Sequence, residues 1–186
     1  MKKLFCVLAL LLVLPRAGAV SARAAVVIDA DTGKTLFEQN ADSRLPMAST
    51  TKIMTALVAL GEGDLDRVYT VKPEYAAVEG SSMYLQAGER LSLRDTLYGL
   101  MLASGNDAAV AIAGECGGMT AFVGKMNAKA AELGLTDTHF DNPNGLPSDT
   151  HYTTARELAK ITAAASRTRC SGRSSRQKAA RSAGMR

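Results

Sequence analysis

The chain has 186 residues, 47% of them hydrophobic and 22% charged, enough to bury one ordinary domain core. Its formal net charge of +4 comes from the two ends: residues 25–165 hold 11 Lys/Arg against 18 Asp/Glu, a net of −7, so nothing there suggests a nucleic-acid groove. Cys6, Cys116 and Cys170 form no C-x-x-C pair, and His139 and His151 have no ligand-like partners, so no metal or other cofactor is expected and Cys116 reads as a buried, idle thiol.

In chain order, Lys2-Lys3, the apolar run from Leu4 to Leu14, and Ala17-Gly18-Ala19 or Ala22-Arg23-Ala24 have the outline of a secretory signal peptide over residues 1–24. The run is short for a bilayer span, so export followed by cleavage is the expectation. Ala25 to Ile28 and Thr35 to Glu38 read as two strands around Asp31-Thr32-Gly33-Lys34, a β-hairpin. Pro46 and Ser49 carry helix-start chemistry, with Ser49 as the cap. Ile53, Met54, Leu57, Val58 and Leu60 then recur at helical spacing until Gly61-Glu62-Gly63.

Residues 64–91 are mixed, with Val68 to Val71 strand-like and Gln86 to Glu89 a turn. Ser92-Leu93-Arg94-Asp95 resembles a capping sequence ahead of an apolar helix through Leu97, Leu100, Met101 and Leu102. That helix must stop or bend at Ser104-Gly105-Asn106. An alanine-rich helix follows from Asp107 to Glu115, closed by Gly117-Gly118, and another opens at Thr120 and ends at Gly134. Residues 135–150 read as loop, and Thr154-Ala155-Arg156-Glu157 is a capping box for a last helix.

From Ser166 to Arg186 there is no Leu, Ile, Val, Phe or Tyr, while Arg and Ser abound. Such a segment cannot bury enough apolar surface to offset its ordering entropy, so residues 166–186 are expected to be a disordered basic tail. Legal codons for Ala165 to Arg176, read one frame over, give Leu-Ala-Asp-Pro-Val-Phe-Arg-Lys-Ile-Val-Ala, which continues the helix and restores an apolar pattern. The tail is therefore read as a frameshifted stretch of the gene.

Ser49 and Lys52 lie three apart and share a helical face. A serine hydroxyl becomes a nucleophile when a neighbour takes its proton, and a desolvated lysine can do so without histidine. Ser-x-x-Lys alone is a weak motif, and a second copy runs from Ser175 to Lys178. Ser104-Gly105-Asn106 strengthens it, because a junction between helices can project a hydroxyl for proton relay and an amide that holds a carbonyl or supports the lysine. The same tripeptide also reads as a simple helix break capped by Asn106.

Together Ser49-x-x-Lys52 and Ser104-x-Asn106 match two of three signatures of penicillin-binding serine enzymes. With Pro46-Met47-Ala48 before Ser49, Gly80-Ser81-Ser82-Met83-Tyr84, Leu102-Ala103 before Ser104, and Asn142-Pro143-Asn144-Gly145-Leu146, the chain from about Ala25 to Ala165 resembles the low-molecular-mass D-alanyl-D-alanine carboxypeptidases. The resemblance implies an α+β fold of the β-lactamase/transpeptidase type, an antiparallel sheet with helices on both faces, here incomplete and mostly helical. It implies a peptidase acting on peptidoglycan D-alanyl-D-alanine stem peptides in the cell envelope, with β-lactams as covalent inhibitors. By the same resemblance Ser49 is the acylated nucleophile, its amide is one oxyanion donor, Lys52 is the proton acceptor, Ser104 the shuttle, and Asn106 lines the substrate site.

The third signature, Lys-Thr-Gly, belongs roughly a hundred residues after the second, and no such triplet occurs in the 186 residues. The chain is therefore expected to be a C-terminally truncated and impaired member. Membrane association would come only through parts it does not contain. A second reading is a non-catalytic secreted fragment that binds cell walls. A third is a class A-like β-lactamase, for which no convincing deacylating glutamate is found.

Overall fold

The apolar helical stretches meet around a shared core in a computed structural model that describes residues 20–168. Most of the signal-peptide segment and of the basic tail lies outside the described residues.

The hairpin forms as expected, β1 (Ala25–Ile28) pairing antiparallel with β2 (Thr35–Gln39), with a register irregularity between Val27 and Ile28. Asp29 closes its turn by accepting from the Thr32 amide and hydroxyl. A 3-10 turn over Ala48–Thr50 leads into α1 (Thr51–Gly61). Here the cap reading for Ser49 is corrected. Neither Met47 nor Thr50, the residues at the two starts, makes a side-chain cap, and the Ser49 hydroxyl faces Lys52 instead.

The mixed stretch resolves into β3 (Val68–Thr70), a one-turn helix α2 (Pro73–Ala76) opened by proline, and β4 (Arg90–Ser92), which pairs antiparallel with β3. Ser92 then caps α3 (Leu93–Leu102), its hydroxyl oxygen accepting from the Asp95 amide at 3.0 Å. After the break come α4 (Asn106–Glu115) and α5 (Met119–Glu132). A last helix, α6, covers 155–168 and is capped by the Thr154 hydroxyl, which accepts from the Glu157 amide. Glu157 does not complete the capping box. Its carboxylate turns instead to the Thr136 and Asp137 amides and the Thr138 hydroxyl.

The α+β expectation holds, with the strands in two separate two-stranded sheets. The helix continues through Ser166, Arg167 and Thr168, and Arg167 donates to the carbonyl of Asp31 in the hairpin turn; the rest of the basic tail lies outside the described residues. Cys116 is buried, and burial pushes its thiol pKa up, away from reactivity. No helix among the described residues is long and apolar enough to cross a membrane.

The core packs Met54, Leu57 and Val58 of α1 against Leu93 and Leu100 of α3, Ile112 of α4, Phe122 and Met126 of α5, and Ile161 of α6. Ala108, Ala109 and Ala113 keep α4 slim, so it runs through the middle with these residues fully buried. Arg156 pins the hairpin to α6, reaching Glu38, Asp42 and Thr35 together. The 135–153 loop folds back over the start of α1. Isolated bridges Leu45–Thr153 and His139–Tyr152 fasten it, and the Thr55 hydroxyl donates to the Pro143 carbonyl at 2.6 Å.

Its closest approach is at Gly145. A Cβ there would sit 1.9 Å from the Ala48 carbonyl oxygen, and the backbone has φ +91°, so only glycine fits.

Two stability changes follow from these contacts. Ser92→Ala removes the α3 cap and should lower unfolding free energy by about 1 kcal/mol. Gly145→Ala must displace the loop from Ala48 and should lower it by roughly 1–3 kcal/mol. Paired thermal and urea melts measure both, and a Gly145→Ala protein as stable as the parent would contradict the close approach.

Candidate active site

Lys52 is the centre of the site. It sits on the first turn of α1, three residues after Ser49, and only 2% of it is exposed. Its Nζ lies 3.1 Å from Ser49 Oγ, 2.7 Å from Asn106 Oδ1 and 2.8 Å from the carbonyl oxygen of Asn144. Three acceptors suit an ammonium. Two of them can never donate, whereas a serine hydroxyl can. A neutral amine in this nest therefore gives its two N–H bonds to Asn106 and Asn144 and aims its lone pair at Ser49. Burial pushes the lysine pKa below its ordinary value, with the charge of Asp107 opposing the shift.

Asn106, the first residue of α4, is fixed at both ends of its amide. Its Nδ2 donates to the Glu79 carbonyl at 2.7 Å, which leaves Oδ1 for the lysine, and its own backbone amide donates to the Ser81 carbonyl. Gly80 permits the contact, since a Cβ there would lie 2.7 Å from Asn106 Nδ2.

Asp107 is fully buried. Burial works against its charge, but the Ser82 hydroxyl and the amides of Leu85, Met83 and Ala108 all donate to it, and the balance holds its pKa below the usual carboxylate range. It thereby binds the 82–85 segment to the N-terminus of α4.

The Asn144 carbonyl is aimed by its own loop. Asn142 Oδ1 accepts from the Gly145 amide, Asn142 Nδ2 donates to the Leu146 carbonyl, and Asn144 Oδ1 accepts from the Leu146 amide.

Of the four residues expected from sequence, Ser49, Lys52 and Asn106 come together in one hydrogen-bonded group. Ser104 does not join it: half-buried, with φ +53°, it stands at the break before α4 and is in no hydrogen bond with Lys52 or Ser49. The Asn144 carbonyl and Asp107 were not anticipated. For Asp107 a signal existed, an acid directly after Asn106 in an alanine-rich run that was bound to be buried. For a backbone carbonyl there is none in the side-chain pattern. Ala48, at φ +44°, and Ser104 place left-handed non-glycine backbone on both sides of the site, the kind of strain that collects where geometry serves chemistry.

Residues 13–182 match the model of the D-alanyl-D-alanine carboxypeptidase family. The D-alanyl-D-alanine carboxypeptidase DacF of Bacillus subtilis is 45% identical over 145 residues, covering 74% of this chain and 37% of that protein. The crystal structure of the D-alanyl-D-alanine carboxypeptidase DacD from Francisella tularensis superposes with a TM-score of 0.75 at 37% identity, covering 77% of this chain and 36% of that one. The crystal structure of a Streptomyces DD-transpeptidase gives a TM-score of 0.72 at 40% identity, covering 75% of this chain and 58% of its own. The chain thus spans less than two thirds of each of these relatives. With its Ser49–Lys52 and Ser104–Asn106 motifs in that family's fold, the protein belongs to the D-alanyl-D-alanine carboxypeptidase family.

Proposed function

We propose that the protein is a serine-type D-alanyl-D-alanine carboxypeptidase, exported to act on peptidoglycan stem peptides through an acyl-enzyme on Ser49. The observation that carries the reading is the nest around Lys52, where two acceptors that cannot donate leave the amine lone pair to the Ser49 hydroxyl. Ser49 Oγ attacks the carbonyl of the penultimate D-alanine while its proton passes to Lys52 Nζ. The Ser49 amide is one donor to the oxyanion. As the C–N bond breaks, the proton returns through Ser104 to the leaving D-alanine amine, so Ser104 must be brought into contact by substrate or water. Water then hydrolyses the ester, with Lys52 again accepting a proton. Asn106 holds the lysine and lines the peptide site. β-Lactams would enter the same first step and remain as stable acyl-enzymes.

A Lys-Thr-Gly triplet is absent from the 186 residues.

Intact-mass analysis after benzylpenicillin treatment tests the reading. One covalent adduct is expected, absent from Ser49→Ala, and Lys52→Ala should slow its formation at least about a hundredfold. A parent chain that binds D-alanyl-D-alanine peptides and never gains an adduct would instead be the non-catalytic cell-wall-binding fragment. The rate should also depend on pH in one direction. Because burial lowers the Lys52 pKa, acylation should rise with pH through an inflection below the ordinary lysine value of about 10.4. An inflection at or above that value would show that Lys52 is not the acceptor.

A further inference from the structure

We propose that His151 is a positioning residue for Lys52: held as the neutral Nε2–H tautomer between Thr51 and the Asp141 amide, it keeps the Asn144 carbonyl docked on the lysine. The proposal rests on Lys52 being the proton acceptor in the reaction above.

The tautomer follows from the partners. The backbone amide of Asp141 donates to His151 Nδ1 at 3.0 Å, and an amide cannot reverse its role. Nδ1 is therefore unprotonated, and the ring proton sits on Nε2, 2.8 Å from the Thr51 hydroxyl oxygen that accepts it. His151 is 3% exposed, and the Phe140 ring meets its ring edge-on at 5.9 Å between centroids.

The place of these contacts gives them their function. Thr51, Lys52 and Thr55 are the side chains by which α1 grips the loop, at His151, at the Asn144 carbonyl and at the Pro143 carbonyl respectively. Between Asp141 and His151 the loop is tied internally through Asn142, Gly145 and Leu146, and by Thr150 donating to the Asp141 carboxylate. It is thus one internally bonded unit, and His151 holds both its ends to the residue next to Lys52.

Protonation would set a new N–H at Nδ1 against the Asp141 N–H, two donors facing each other. The charged or titratable groups around the ring are the Asp141 carboxylate and the His139 imidazole, while α1 presents the uncharged Thr51 hydroxyl. Burial holds the His151 pKa below its ordinary value, Asp141 opposes the shift and His139 adds to it. A histidine with a depressed folded pKa contributes its full stability above the unfolded value of about 6.5 and loses it as pH falls through the lower folded pKa. Acid should therefore free the loop and take the Asn144 carbonyl off Lys52.

Nuclear magnetic resonance on the full chain, with labelled histidine and lysine, tests this. In the parent, His151 should show the Nε2–H tautomer. The Asp141 amide, corrected for intrinsic exchange, should exchange at least about fivefold faster once His151 is protonated, the equivalent of one net hydrogen bond. His151→Asn, which keeps an acceptor near the Nδ1 place, should retain Asp141 protection and make it independent of pH. His151→Leu should lose the protection at every pH and move the Lys52 titration up toward that of the other lysines. An Asp141 amide indifferent to His151 protonation would overturn the proposal, and so would an unshifted Lys52 titration in folded His151→Leu. If that variant fails to fold, the parent titration decides. Penicillin labelling of the same samples separates the two claims. Coupling between Asp141 and His151 with no Ser49 adduct supports the positioning role and removes the enzymatic one, whereas an adduct without coupling does the reverse.

Discussion

A lysine amine withdrawn from water beside a serine is the constraint that the rest of this structure serves. An isolated buried ammonium is strongly disfavoured, so Lys52 must either be neutral or be surrounded by acceptors. The surroundings are built from three distant parts of the chain, the α1 turn itself, the start of α4 and the 141–146 loop. The small alanines that let α4 run through the core are what bring Asn106 within reach of α1. The site is thus a product of helix packing as much as of its own motifs.

Glycine and strain supply the close fit. Ala48 takes a left-handed backbone that an alanine resists, and Gly145 presses its bare Cα face against the Ala48 carbonyl. The pair fixes where the 3-10 turn begins, and with it where the Ser49 hydroxyl points. Had Ser49 capped the helix, its oxygen would have been committed to a backbone amide. Withholding the cap leaves that oxygen to the lysine, a local exchange of helix stability for reactivity.

The legibility of the sequence divides along the same line. Ser49 and Lys52 could be paired because three-residue spacing on a helix is contact, and the helices of the core were readable from apolar period and glycine stops. The three-residue strand β4 and the one-turn helix α2 were not, because elements so short are set by tertiary pairing with β3 and α4 rather than by propensity. Ser104 was grouped with the others by motif, but its side chain lies outside their hydrogen-bonded set. The Asn144 carbonyl was invisible because backbone acceptors are supplied by every residue type and leave no mark in the pattern. Glu157 misled for another reason. It sits where a capping box requires it, but three donors at 136–138 offered its carboxylate more than one helix amide could.

Charge around the lysine is balanced by two opposed influences. Desolvation favours the amine, and the Asp107 carboxylate favours the ammonium. Asp107 spends its oxygens on four donors, so it is a bound charge acting through space and not a partner of Lys52. A lysine with no nearby negative charge would lose its proton so readily that it would be a weak base, and one paired directly to a carboxylate would never give it up. Placing the acid next to Asn106 in sequence, but turning it toward 82–85, sets Lys52 between those extremes. In the proposed reaction Lys52 would take the Ser49 proton from this position, where one buried amine, one indirect charge and two fixed carbonyl acceptors act on it together.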